Sequence, residues 1–311
     1  MTMKEASVHE LAQFALIRFS GEDAPTFLHN QLSCDVIALK PGASTYGAYC
    51  TPKGRMLASF LLWRSERDFF MPLPLALREP IQKQLSKFIL RSKVKAADVS
   101  SDYTLIGVAG QGAAALVQQA VGQAPREMHE VVIAPDAMVL RLPGDRFEMA
   151  VAKDQASRVI ENLGAGGEKS DPQHWEWLDI RAGIPTILPA TQEAFVPQMA
   201  NLDLIGGVSF DKGCYPGQEI VARMHYRGTL KQRMYLAHVG GTEKPQPGDK
   251  LYSPDFGDQA SGTIVNAAPA PTGGSDVLAA IQIASAEKGG VHWKSAQGPA
   301  LELLPLPYRI E

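Results

Sequence analysis

The sequence predicts an α+β fold whose C-terminal part is a small all-β barrel. Three observations carry that expectation. Helical and strand-like spacings are mixed along the first 229 residues without settling into repeated strand-helix-strand units. Beyond Leu230 the character changes to short apolar strands over 233–239, 262–266 and 277–283, divided by Gly- and Pro-rich turns, the pattern of a small barrel. A chain of 311 residues is also too long for one small core, so two or three domains are expected, with a boundary between 229 and 230.

The elements follow in order. Residues 12–19 read as a strand with Phe14 and Leu16 on one face. Residues 23–32 read as a helix opened by Asp23 and Pro25. Strands over 47–50 and 56–63, joined by the turn Thr51-Pro52-Lys53-Gly54, read as a hairpin. Apolar spacing predicts helices over 80–90, 113–121 and 175–182, and a strand over 103–109. The run Gly110-Gln111-Gly112-Ala113-Ala114-Ala115 partly fits a dinucleotide fingerprint, but without repeated strand-helix-strand units it reads as a tight turn before a packing helix. Gly164-Ala165-Gly166-Gly167-Glu168-Lys169-Ser170 has Glu168 where a phosphate loop needs glycine; these residues, 164–170, read as a flexible linker within a polar, Gly-rich connection over 164–173.

Composition is that of an ordinary soluble globule, 45% hydrophobic and 20% charged. A formal charge of −3 gives no global drive toward nucleic acid or an anionic membrane. The N-terminal residues contain no apolar core of signal-peptide length, and no stretch approaches the ~20 apolar residues of a membrane span, so a cytoplasmic protein is expected. Cys34, Cys50 and Cys214 are odd in number and form no CxxC pair, which argues against a disulfide framework or a structural metal site. Cys34 and Cys50 read as packing residues.

The richest stretch is Asp211-Lys212-Gly213-Cys214-Tyr215-Pro216-Gly217-Gln218-Glu219. Ahead of it, residues 206–210 read as a turn and a short strand; after it, residues 220–224 read as a helix with Pro216 at its first position. A thiol just before a helix start faces the positive end of the dipole, which favours the thiolate. Cys214 is therefore a candidate reactive thiolate and Lys212 its tuning cation, against the alternative of a buried cysteine in a tight turn.

The run Phe195-Val196-Pro197-Gln198-Met199-Ala200-Asn201-Leu202, with Gly206-Gly207-Val208-Ser209-Phe210, Lys212-Gly213-Cys214-Tyr215, Gly217-Gln218-Glu219 and Val221-Ala222-Arg223, resembles the signature of the YgfZ family of folate-binding proteins, relatives of the glycine cleavage T-protein. Weaker similarity reaches Ser20 to Val36 and Leu304-Pro305-Leu306-Pro307-Tyr308, so it extends over essentially the whole chain. The resemblance implies a T-protein-like arrangement of three domains around a central channel that admits folate. Residues 1–229 would form two interleaved α+β domains and residues 230–311 the barrel.

It also implies tetrahydrofolate or a derivative as ligand, with Phe14 and Trp175 as ring contacts; Phe14 departs from the tryptophan of some relatives, and Trp175 matches. Arg223 and Arg227 are candidate cations for the glutamate tail. Two departures from the T-protein matter: its acidic pair after the hairpin turn is replaced by Ala58 and Ser59, and its pterin-contacting glutamate by Arg181. Neither Ala58 nor Ser59 can serve as a carboxylate base, so aminomethyl transfer is not expected.

The function implied is support of iron–sulfur cluster assembly or repair in client enzymes, those that thiolate tRNA among them, with folate and Cys214 on the same side of the channel. A folate-dependent one-carbon transferase is one rival reading. A tRNA-binding adaptor is another, because Lys212, Arg223, Arg227, Lys231 and Arg233 stand against only Asp211 and Glu219 over 211–233, a local balance of +3. The oligomeric state is not legible.

Overall fold

The computed structural model describes residues 6–310; residues 1–5, the start of the chain read above for a leader, and residue 311 lie outside the described residues. The chain divides into two compact units. Of the described residues, the first holds those up to His29, Val36–Thr45 and Phe60–Trp175; the second holds Asn30–Asp35, Tyr46–Ser59 and those from Glu176 onward.

The chain opens with β1 (Ser7–Glu10), β2 (Phe14–Ser20), α1 (Ala24–His29), β3 (Ala43–Cys50), β4 (Met56–Arg64), β5 (Phe69–Pro74), α2 (Leu75–Ser86) and β6 (Lys95–Asp98). It continues through β7 (Tyr103–Ala109), α3 (Ala113–Val121), β8 (Val131–Ile133), β9 (Ala137–Leu142), β10 (Arg146–Ala152), α4 (Ala156–Gly166), β11 (Glu168–Lys169) and α5 (Pro172–Arg181). One sheet runs β3-β4-β5-β2-β6 and another β11-β1-β7-β10-β9-β8. Alternate residues of β7 and β10, among them Ile106, Val108, Phe147 and Met149, point to one face, where they bury against Leu116 and Val117 of α3 and Val159 and Leu163 of α4.

Several expectations need correction here. Helix α2 starts at Leu75, not 80: Leu77, Ile81 and Leu85 form its buried stripe and Pro80 lies inside it, so a proline that reads as a helix start is tolerated in the interior. Helix α1 ends at His29. The stretch 164–170 is no linker. It contains the last turn of α4, then β11, which pairs in parallel with β1 through Ser7↔Glu168 and Val8↔Lys169. Gly167 is there for space, since a Cβ would meet Val8 at 2.6 Å and Leu116 at 2.9 Å. Gly110 and Gly112, at φ 102° and 83°, form the turn into α3. Their strand β7 pairs antiparallel with both neighbours, which is unlike a dinucleotide-binding crossover.

In the second unit, α6 (Gln218–Arg227) precedes β12 (Gln232–Val239), β13 (Lys250–Tyr252), β14 (Ala260–Pro269), β15 (Ser275–Gln282), α7 (Ile283–Lys288), β16 (His292–Trp293) and β17 (Leu301–Leu304). These strands form one antiparallel sheet, β16-β13-β14-β15-β12-β17. Its edges are joined by the bridge His292↔Ala300 and by Leu301 N–H donating to Val291 O at 2.8 Å. Val239, Leu251, Ile264, Val277, Ile281 and Trp293 fill its core. No helix among the described residues is long and apolar enough to cross a membrane.

Candidate functional site: an exposed thiol on an anchored loop

The loop that carries Cys214 is held from beneath by Lys212. That side chain is buried, 9% exposed, and its ammonium donates to Leu32 O at 2.6 Å and Cys34 O at 2.9 Å. It also lies 5.0 Å from the centre of the Tyr215 ring, a cation–π contact. Burial pulls the Lys212 pKa down to about 8, opposed in part by its electrostatic interactions with Cys34 and Asp35. Gln218 Nε2 donates to Lys212 O at 3.3 Å, which ties the loop to the start of α6. Lysine and tyrosine thus act as a plug beneath the loop, while Cys214 between them is exposed.

Cys214 is exposed, whereas Cys34 and Cys50 are buried. Desolvation pushes both buried thiols up to about 12, and it raises the Tyr215 phenol as well. At neutral pH the two buried sulfurs are sealed and protonated, so the chain presents a single accessible thiol. The Lys212 hydrogen bonds make this side chain an anchor for the loop.

The junction with α6 also differs from expectation. Residues 207–210 form no strand; Ser33 Oγ donates to Gly207 O at 2.6 Å and Ser209 N–H to Ser33 O at 2.9 Å. Helix α6 starts at Gln218, two residues beyond Pro216, and Gly217 precedes it at φ 83°. A Cβ on Gly217 would meet Thr51 O at 2.4 Å and Gly54 N at 2.6 Å. The hairpin turn and the Cys214 loop therefore touch backbone to backbone. Gln198 Nε2 donates to Val221 O at 2.7 Å, and Asn201, at φ 55°, exchanges hydrogen bonds with the Met234 backbone. These two polar residues of the signature hold α6 and β12 in place, a role that leaves no trace in the local sequence.

In the first unit, Phe14 is half-buried at the start of β2. It lines a cavity of about 260 Å³ with Glu10, Leu75, Ser100, Tyr103 and Lys153. Sequence reasoning missed Tyr103 and Lys153, which reach the cavity only through strand pairing. Trp175 is only 1% exposed. The Arg146 guanidinium lies 5.2 Å from its ring centre, and a Cβ on Gly107 would come within 2.5 Å of the ring. A ring packed on a sheet glycine and capped by arginine is core, with no free face for a ligand ring in this structure.

The positions that depart from the T-protein are occupied structurally. Ser59 Oγ donates to Pro185 O at 2.8 Å and accepts from Ile187 N–H at 2.9 Å. Arg181 lies 3.6 Å from the Asp276 carboxylate, which also takes Trp177 Nε1 and His238 Nδ1, each at 2.8 Å. Of the five cations over 211–233, Lys212 is buried and Arg233 pairs with Asp203 at 2.7 Å. Arg223, Arg227 and Lys231 remain exposed.

The family model for the GCVT N-terminal domain matches residues 1–175. The tRNA-modifying protein YgfZ of Pectobacterium carotovorum subsp. carotovorum is 32% identical over 304 residues, which cover 96% of this chain and 91% of that protein. The protein of the same name from Sodalis glossinidius is 31% identical over 304 residues, covering 96% of this chain and 92% of its own. Among solved structures, the glycine cleavage system aminomethyltransferase T from Bartonella henselae superposes with a TM-score of 0.81 at 19% identity, over 98% of this chain and 87% of that one. At that identity the likeness is one of fold.

Proposed function

Because this chain belongs to the YgfZ family, with a GCVT N-terminal domain and the fold of the aminomethyltransferase, we propose that it binds a reduced folate and supports assembly or repair of iron–sulfur clusters in client enzymes, tRNA-modifying enzymes among them. The observation that carries the proposal is the single accessible thiol. Cys214 stands on a loop whose neighbouring lysine is locked inside, while the other two thiols are buried. A sulfur presented on a fixed loop can contact a client's cluster iron or cysteine without first unfolding its own surroundings.

The folate is seated beside Phe14 in this proposal. A reduced folate, when bound, supplies a pterin able to carry electrons or one-carbon units. The cavity at Phe14 has two aromatic walls, Phe14 and Tyr103, and a few polar groups at Glu10, Ser100 and Lys153, the mix that small-molecule sites use. At about 260 Å³ it suits the bicyclic head, and the rest of the ligand would extend beyond it. Trp175 then supports the wall through Gly107 of β7 and does not touch the ring. Ser59 and Ala58 offer no carboxylate for proton transfer, which separates this reading from aminomethyl transfer.

The test is complementation of cells that lack the protein, scored by the activity of a cluster-dependent tRNA-thiolating enzyme. Cys214→Ser should keep its fold and folate affinity yet fail to restore that activity. Full restoration would show that the thiol is dispensable and sink the proposal.

A further inference from the structure

Beside the Cys214 loop, α6 carries a feature that folate binding does not use. Phe210 stacks on His225 at 3.8 Å between ring centres, nearly parallel at 11°. Tyr226 meets Phe210 edge-on at 6.2 Å and His225 at 4.8 Å. Yet the cluster is not core: Tyr226 is 63% exposed, His225 is exposed and Phe210 half-buried. Large aromatic surface left in water and rimmed by polar groups marks an interaction site.

The rim is basic. Arg223, Tyr226 and Arg227, at i, i+3 and i+4, share one face of α6, and Lys231 follows four residues on. All three cations are exposed, and none of their side chains makes an ion pair or hydrogen bond with another described residue. The two carboxylates of the segment, Asp211 and Glu219, lie at or before the first turn of α6. The positive charge is thus placed beside the rings, on a protein whose formal charge is −3.

We infer that this surface binds unpaired bases of a single-stranded RNA segment. Stacking on exposed aromatic rings is how proteins hold single strands, with flanking cations on the phosphates. A duplex hides its base faces, whereas unpaired bases can stack on the exposed rings while their phosphates meet the flanking cations. The inference stands apart from the folate and thiol proposals, because it rests on residues of α6 and Phe210 that neither uses. It also moves Arg223 and Arg227 from the folate tail, where the sequence resemblance places them, to RNA phosphates.

The experiment is fluorescence anisotropy with a labelled 12-nucleotide unstructured RNA and the full-length protein, each variant checked by thermal unfolding. Tyr226→Ala should weaken binding by about fivefold or more, the loss of one stacked base, with an unchanged melting temperature. The logarithm of affinity should fall with the logarithm of salt at a slope near −2 for about three phosphate contacts, and Arg227→Ala should flatten the slope by about 0.7. Phe210→Leu, which keeps bulk beneath the stack, gives a second route to the same loss of affinity. Wild-type affinity in both aromatic variants, equal affinity for a duplex RNA of the same length, or displacement of the RNA by a saturating reduced folate would each overturn the inference. Displacement by folate would return the arginines to the folate tail.

Discussion

Burial turns three chemically identical thiols into two kinds of group. Cys34 and Cys50 are 1% and 2% exposed and raised to about 12, whereas Cys214 is open to solvent. Since the thiolate is the nucleophile, iodoacetamide at neutral pH should modify Cys214 in the folded protein and reach the other two only after denaturation. Peptide mapping by mass spectrometry reads this directly, and modification of Cys34 or Cys50 in native buffer at the Cys214 rate would contradict it. Lys212 gives a pH signature of its own. Its pKa falls from 10.5 to about 8 in the fold because burial disfavours the charge, so between those values the unfolded chain binds the proton more tightly and stability rises with pH. Below about 8 both states are protonated and the penalty of burying the charge is felt in full. Compared by urea unfolding at pH 7, 8, 9 and 10, wild type should gain stability relative to Lys212→Met as pH climbs through this window. A constant difference between the two would mean that Lys212 is not buried as charged.

At the scale of elements, the sequence singles out the Cys214 loop as the richest stretch but misjudges how it is built. Pro216 reads as a first helical residue; the helix instead starts after Gly217, which has a φ of 83° and where a Cβ would lie 2.6 Å from Gly54, so no side chain is admitted. Such contacts between residues far apart in sequence leave no periodic trace. Gly167 shows the same blind spot, where a glycine that reads as linker is a packing contact. Elements set by local spacing were legible: 103–109 and 113–121 match β7 and α3, because alternation and helical spacing register there without help from distant residues. Gly217→Ala should destabilise the second unit by about 1–3 kcal/mol from backbone strain alone, and more if Gly54 cannot retreat. It should also change the Cys214 alkylation rate, because α6 and the loop must shift to make room. Unchanged stability and alkylation in that variant would mean the two turns do not touch.

For the molecule as a whole, each unit has its own buried core, and the two aromatic residues named for folate play opposite parts in the first. Phe14 is half-buried and borders the cavity, while Trp175 is 1% exposed, pressed on Gly107 and capped by Arg146. The sequence could identify both as aromatic but could not separate them, since burial depends on which strand lies beneath each ring. Their variants should therefore divide stability from affinity. Trp175→Ala opens a core cavity and should cost about 3–5 kcal/mol of stability, seen as an earlier unfolding of the first unit in hydrogen exchange. Phe14→Ala should cost far less stability but weaken reduced-folate binding by about 1 kcal/mol, roughly a factor of five, for the lost ring contact. A folate present at 100 times its Kd stabilises the folded state by about 2.7 kcal/mol, so wild type should show extra protection of β2 and β7 when folate is added, and Phe14→Ala should lose part of it at the same ligand concentration. If Trp175→Ala, assayed at a temperature where it is still folded, loses affinity while Phe14→Ala does not, the ligand does not sit in the Phe14 cavity and the ring contact belongs to the tryptophan.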